Sequence, residues 1–170
     1  MIFRNMRFLF LGLALLSFCS CGFYSLSGVT LPANVKTFQV DYFGYQAVLV
    51  EPGIERDFKI KLEDLIQDQS RLSLTPKNGD YIYQGEITRY YIAPMTATAN
   101  STASQNRLTI EINIRFTNTK VEEESFEKKY SFFYDYSANI QLQGGALETA
   151  LEVIYEQITQ DIFNDTLAKW

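Results

Sequence analysis

Two cysteines, a run of three glutamates and a complete lack of histidine bound the covalent chemistry open to this 170-residue chain. Without histidine there is no Ser-His-Asp or Cys-His relay and no imidazole metal site. Carboxylates remain. Glu63 and Asp64 are neighbours, so on a helix they point about 100° apart and read as a solvated face, not an acid–base pair. Glu122-Glu123-Glu124 could draw a hard cation, yet the run lacks the alternating spacing and glycine of a calcium loop and reads as a solvated hairpin tip. No catalytic residue, metal or cofactor is expected, and the chain reads as a binding protein rather than an enzyme.

One residue does invite covalent modification. Phe8 to Phe18 is an apolar run of 11 residues behind Arg4 and Arg7. A membrane-spanning helix needs roughly 20. A short apolar core with basic residues before it is a secretory leader removed from the mature protein. Ser20-Cys21-Gly22 resembles the end of a bacterial lipobox, with Phe18 where leucine is usual. Cys19 is the rival anchor, but Phe18 directly before it is too bulky for the cleavage site. The reading is a leader over residues 1–20, a lipidated tether over 21–34 and a single domain over 35–170. Cys21 then carries lipid, and more than one acyl chain makes attachment stable. The simpler alternative is a plain cleaved leader with a leftover cysteine. Gly22, and the lack of an acidic run after it, point to the outer membrane on its periplasmic side.

Removing residues 1–20 from 170 leaves 150 residues, enough for one core. The leader takes two of the 15 basic residues and none of the 20 acidic ones, so 13 against 20 gives the remainder a net charge of −7. That excludes a general nucleic-acid binder, which needs a basic footprint. With Cys19 removed and Cys21 lipidated, no disulfide is expected.

The elements follow from apolar spacing. Val35 to Phe43 reads as a strand with Phe38, Val40 and Tyr42 on one face. Pro52 is expected to open a helix at its first position, with Ile54, Phe58, Leu62, Leu65, Ile66 and Gln69 as the buried stripe. Leu72-Ser73-Leu74 is a short extended piece expected to join the next strand, and Pro76 to Asp80 is a turn. Three meander strands follow. Tyr81, Tyr83, Gly85 and Ile87 alternate on the first, which runs to about Ile92. Leu108, Ile110, Ile112, Ile114 and Phe116 alternate on the second. Phe126, Tyr130, Phe132, Tyr134 and Tyr136 alternate on the third, with Lys128 the exception. The opposite face of the second is polar throughout, from Arg107 to Thr117, so the sheet has a core side and a wet side. Between the first two strands Ala93 to Gln105 carries no charge and little bulk. Gly144-Gly145 releases the chain into a long helix with Leu147, Leu151, Ile154, Tyr155, Ile158, Ile162 and Leu167 as its stripe. The expected architecture is α+β. It is a two-layer sandwich of two helices on one face of an about four-stranded, mostly antiparallel sheet, in the order β-α-β-β-β-α.

Set in this order, several short motifs resemble the LptE family of lipopolysaccharide-assembly lipoproteins. They are Cys21-Gly22-Phe23-Tyr24-Ser25-Leu26, Lys36-Thr37-Phe38-Gln39-Val40, Gly79-Asp80-Tyr81 with Gly85-Glu86-Ile87-Thr88, Asn106-Arg107-Leu108-Thr109-Ile110 with Arg115-Phe116-Thr117-Asn118, and Gln160-Asp161-Ile162-Phe163-Asn164. The resemblance implies a plug and assembly partner inside the LptD outer-membrane β-barrel, delivering lipopolysaccharide to the outer leaflet. It also implies lipopolysaccharide contact through basic residues of the sheet side, for which Arg89, Arg107 and Arg115 are the candidates. The opposing reading pairs those arginines with Glu86 and Glu111 across strands. The uncharged connection, with Pro94, Met95 and Asn100, is the candidate contact loop for the barrel. The competing function is a periplasm-facing carrier or chaperone that holds a lipophilic ligand between helices and sheet.

The lipobox reading is checked by metabolic labelling with a palmitate analogue. Cys21→Ser is expected to abolish incorporation, and Cys19→Ser to leave it intact.

Overall fold

A computed structural model describes residues 31–47, 51–95 and 104–168. The leader, Cys21, most of the tether, Asn100 and Trp170 lie outside the described residues. The elements run β1 (Thr37–Val40), β2 (Gly44–Tyr45), α1 (Ile54–Gln69), β3 (Ser73–Leu74), β4 (Tyr81–Met95), β5 (Gln105–Asn118), a 3-10 turn at Glu122–Glu124, β6 (Phe126–Ser137) and α2 (Gly145–Thr166). The sheet is mixed and has six strands in the order β3-β1-β4-β5-β6, with β2 also paired to β4. Class and layering are as expected; strand count and direction are not. β1 lies parallel to both β3 and β4, because the helical crossover through α1 returns the chain in the same direction. Ser73–Leu74 is a strand of its own beside β1 and does not extend β4.

Both helices cover one face. α1 buries Ile54, Phe58, Leu62 and Ile66, a stripe with a step of four residues throughout. It starts two residues after Pro52, not on it: Gly53 sits at φ +93°, a left-handed conformation that glycine adopts without a Cβ penalty, and Ile54 is the first helical residue. α2 buries ten of its residues, from Leu147 to Thr166, in pairs that recur each turn. The apolar set of β5, Leu108 to Phe116, is wholly buried beneath the helices.

Two one-residue insertions set the phase of the sheet. Val40 pairs with Tyr83 and Gly44 with Glu86, so four steps on the first side match three on β4. The extra residue reverses which side chains face inward. Tyr42, expected in the core, is 73% exposed, and Phe43 takes its place at 0%. The Phe43 ring meets Phe58 edge-on at 5.0 Å. Gly85 opens the room it needs: a Cβ there would lie 2.3 Å from the Asn113 carbonyl oxygen and 2.9 Å from the Phe43 ring. The second insertion is Thr88, between the Ile87–Ile112 and Arg89–Glu111 pairs. Its hydroxyl donates to Glu111 Oε1 at 2.8 Å. Before it Tyr81, Tyr83 and Ile87 point inward; after it Tyr90 does.

The lower end of the sheet is tied by Asp80. Its carboxylate accepts hydrogen bonds from the Lys36 and Thr37 amides at 2.8 and 3.0 Å and from the Thr37 hydroxyl at 3.0 Å. The Lys120 ammonium lies 2.7 Å away. The Lys120 bond, then the Lys36 amide, hold this carboxyl far below the usual carboxylate range. A depressed carboxyl adds stability above the unfolded-state value, about 3.9, and loses it as pH falls below that. Asp80→Ala is expected to cost about 1–3 kcal/mol at neutral pH. Chemical denaturation from pH 7 down to pH 2 is expected to show a smaller acid loss for the variant than for the parent.

Candidate binding face

The uncovered face is built from the outward positions of β4, β5 and β6, and the register sets its rows. From the upper end the rows are Ala93–Arg107–Asp135, Tyr91–Thr109–Phe133, Arg89–Glu111–Ser131, Glu86–Asn113–Lys129 and Gln84–Arg115–Glu127. Arg107 grips Asp135 with two parallel bonds, at 2.6 and 2.7 Å, and lies 3.6 Å over the Phe133 ring. The pair shifts both groups, Asp135 downward and Arg107 upward, chiefly through the hydrogen bond they share. Glu127 accepts from Asn113 Nδ2 at 2.7 Å and from Arg115 Nε at 3.3 Å. The Asn113 bond, then the Arg115 charge, lowers its pKa. Glu111 is lowered first by the Thr88 hydroxyl and also by Lys129, 3.2 Å away, and by the Arg89 charge.

All three candidate arginines therefore stand on the wet face, but not together. Eight steps along β5 separate Arg107 from Arg115, roughly 27 Å at 3.4 Å per residue. Arg89 and Arg107 flank one region and Arg115 another. Arg89 lies opposite Glu111 as the pairing alternative expected, whereas Arg107 and Arg115 take Asp135 and Glu127 on β6. Glu86 instead accepts from Gln46 Nε2. Pro94 and Met95, expected in a loop, belong to β4 and pair with Asn106 and Gln105. A proline fits there because β2 follows β4 only to Ile87, and among the described residues no strand lies along that edge of β4 beyond it to receive an N–H.

Two aromatic residues of this face are new. Tyr91 is 52% exposed and Phe133 41%, and they flank Thr109 from either side between the Arg89 and Arg107 rows. Phe133 is legible as the one aromatic at an outward position of β6. Tyr91 is not, because the Thr88 insertion changes its face. At the other end a shallow cleft of about 180 Å³ is lined by Asp41, Tyr42, Gln84, Gly85, Glu86, Asn113 and Arg115. Asp41 accepts there from Gln84 Nε2 at 2.6 Å. Among the described residues no three acidic groups are placed to hold a metal ion. Glu124 of the glutamate run accepts from Asn118 Nδ2 at 2.8 Å. No described helix is long and apolar enough to cross a membrane.

Residues 35–166 match the family model named LptE, described as lipopolysaccharide-assembly. No curated protein matches the chain. Among solved structures, a protein of the DUF330 family from Xanthomonas campestris superposes with a TM-score of 0.54 at 12% identity, covering 82% of this chain and 91% of its own. A hypothetical protein from Chlamydia trachomatis gives 0.53 at 8% identity, covering 79% and 99%. At such identities the likeness is one of fold.

The arginines differ in what they hold. Thermal melts are expected to show the largest loss for Arg107→Gln, which breaks a two-bond pair and uncovers Phe133. Arg89→Gln, which breaks no hydrogen bond among the described residues, is expected to melt with the parent.

Proposed function

Because this chain belongs to the LptE lipopolysaccharide-assembly family, we propose that it is an outer-membrane lipoprotein, anchored through Cys21 on the periplasmic side, that plugs and helps assemble the LptD β-barrel and so delivers lipopolysaccharide to the outer leaflet. The observation that carries this reading is a family match over 35–166, nearly the whole folded domain. The work is binding, not covalent catalysis. A barrel lumen is polar. The outer face suits it, with charged and amide side chains already held in pairs and two aromatic rings among them. An anchor in the same membrane as the barrel raises the effective concentration of one for the other.

Lipopolysaccharide contact on this reading falls to Arg89, Arg107 and Arg115. A guanidinium can give a phosphate two parallel bonds, though each arginine must first share or give up a neighbouring carboxylate. Arg89 has the least to give up. Pro94 and Met95, at the end of β4, and Asn100 beyond it supply the contact to the barrel wall, where an uncharged segment avoids the cost of burying charge. The carrier alternative needs space between helices and sheet. That layer is filled by two sets of touching rings, Phe43–Phe58–Tyr155 and Tyr83–Phe116, which favours the plug.

Affinity purification of the tagged protein from detergent-solubilised outer membranes tests the proposal. A stoichiometric large β-barrel is expected, and a lone monomer carrying lipid would overturn the plug. Arg89→Glu/Arg107→Glu is expected to lower co-purified lipopolysaccharide severalfold while leaving the barrel bound.

A further inference from the structure

β6 is the last strand of the sheet, and its outer edge carries no strand among the described residues. It pairs with β5 without a break from Phe126 to Ser137, so it has no bulge to twist the edge away, and it contains no proline. Every second residue thus turns its N–H and C=O outward along a strand of 12 residues. Such an edge invites another strand unless it is guarded. The guard here covers one end only. Lys128 is an inward-facing charge, bound to Asp165 of α2 at 2.6 Å and lying 5.0 Å over the Tyr130 ring. From Tyr130 onward the inward positions are Tyr130, Phe132, Tyr134 and Tyr136, and Phe132 and Tyr134 stay half-buried because the helices stop short of the edge.

We infer that this edge pairs antiparallel with the β6 edge of a second copy, about a two-fold axis through Phe132. The side-chain pattern selects that register. With Phe132 facing its own copy, Lys129 stands opposite Asp135 twice on the wet face. On the helix side Tyr130 faces Tyr134 and Lys128 faces Tyr136, an aromatic ladder ended by a cation beside a ring. A two-residue slip one way sets Glu127 against Asp135, two like charges. The same slip the other way gives Phe132 to Tyr134 and Lys129 to Ser137, with no charge pair. Pairing inward residues with inward residues also keeps both helix layers on one side of a continuous sheet. The new pairs extend contacts that exist within each copy, since Asp135 holds Arg107 and Lys129 holds Glu111. Across the axis they form a four-charge row of alternating sign.

The test uses the full chain in detergent with Cys19 and Cys21 replaced by serine. Sedimentation from micromolar to millimolar protein is expected to show a monomer–dimer equilibrium, its midpoint raised at least tenfold by Lys129→Asp. Ser131→Cys and Phe133→Cys stand opposite each other in this register. An equimolar mixture is expected to oxidise to the mixed disulfide, and each variant alone to do so far less. A monomer at all concentrations, equal cross-linking in all three samples, or an unmoved midpoint for Lys129→Asp would overturn the inference. Cross-linking of either cysteine to a different protein in the outer membrane would overturn it as well, by giving the edge another occupant.

Discussion

β4 is the strand on which every other part of the domain takes its bearing. It carries β1 and β2 in parallel on one side and β5 antiparallel on the other, and its inward residues must meet two helices along its length. A sheet with one covered face has no tolerance for a slip of phase, because a one-residue shift exposes the whole apolar set. The chain keeps this constraint with two insertions, one opposite β4 before Gly44 and one within it at Thr88. Tyr83, just ahead of both, is wholly buried, and burial pushes its phenol well above the ordinary value. Its hydroxyl donates to Thr166 at 3.0 Å, and Thr166 donates onward to the Ile162 carbonyl at 2.7 Å. The middle of the sheet and the end of α2 are thereby held by one satisfied chain of bonds.

The helix layer is joined to the sheet by rings rather than by aliphatic packing alone. Phe43 meets Phe58, and Phe58 meets Tyr155 at 5.3 Å, each edge to face. Contacts of this kind add about 0.5–1.5 kcal/mol beyond the area buried. Tyr155 also donates to the Ile54 carbonyl at 3.0 Å, which satisfies a buried hydroxyl and fixes the start of α1 against α2. The connection between β1 and β2, both helices and β4 thus meet around one ring stack. Gly85 is the position that makes room for it.

What could be read from residues alone was whatever kept a single period. β5 alternates without interruption from Leu108 to Phe116, and both helices hold their stripes, so their places and faces were legible. Two of the misses sit where the period changes by one residue. Tyr42 continues the alternation of Phe38 and Val40 on paper, and only the pairing with β4 reveals the extra residue that turns it outward. Thr88 does the same to Tyr91, hiding an aromatic of the binding face. Leu72-Ser73-Leu74 was legible as an extended piece, but two residues show no period from which to read that it pairs with β1 instead of joining β4. The partners of Arg107 and Arg115 lie on β6, and finding them required the β5–β6 register, which neither strand's own sequence states.

The Asp80 clamp has a mechanical meaning. Any pull on the chain ahead of Pro32 enters the domain through Lys36 and Thr37, the residues whose amides Asp80 holds. Behind them β1 is flanked on both sides, by β3 and by β4, so tension along its axis loads several backbone bonds at once in shear instead of peeling them singly. The carboxylate carries the first part of that load and Lys120 steadies it from the far hairpin. The point where a tether would tug is therefore among the most firmly fastened places in the fold, and strain arriving there is spread into the sheet before it can reach the binding face.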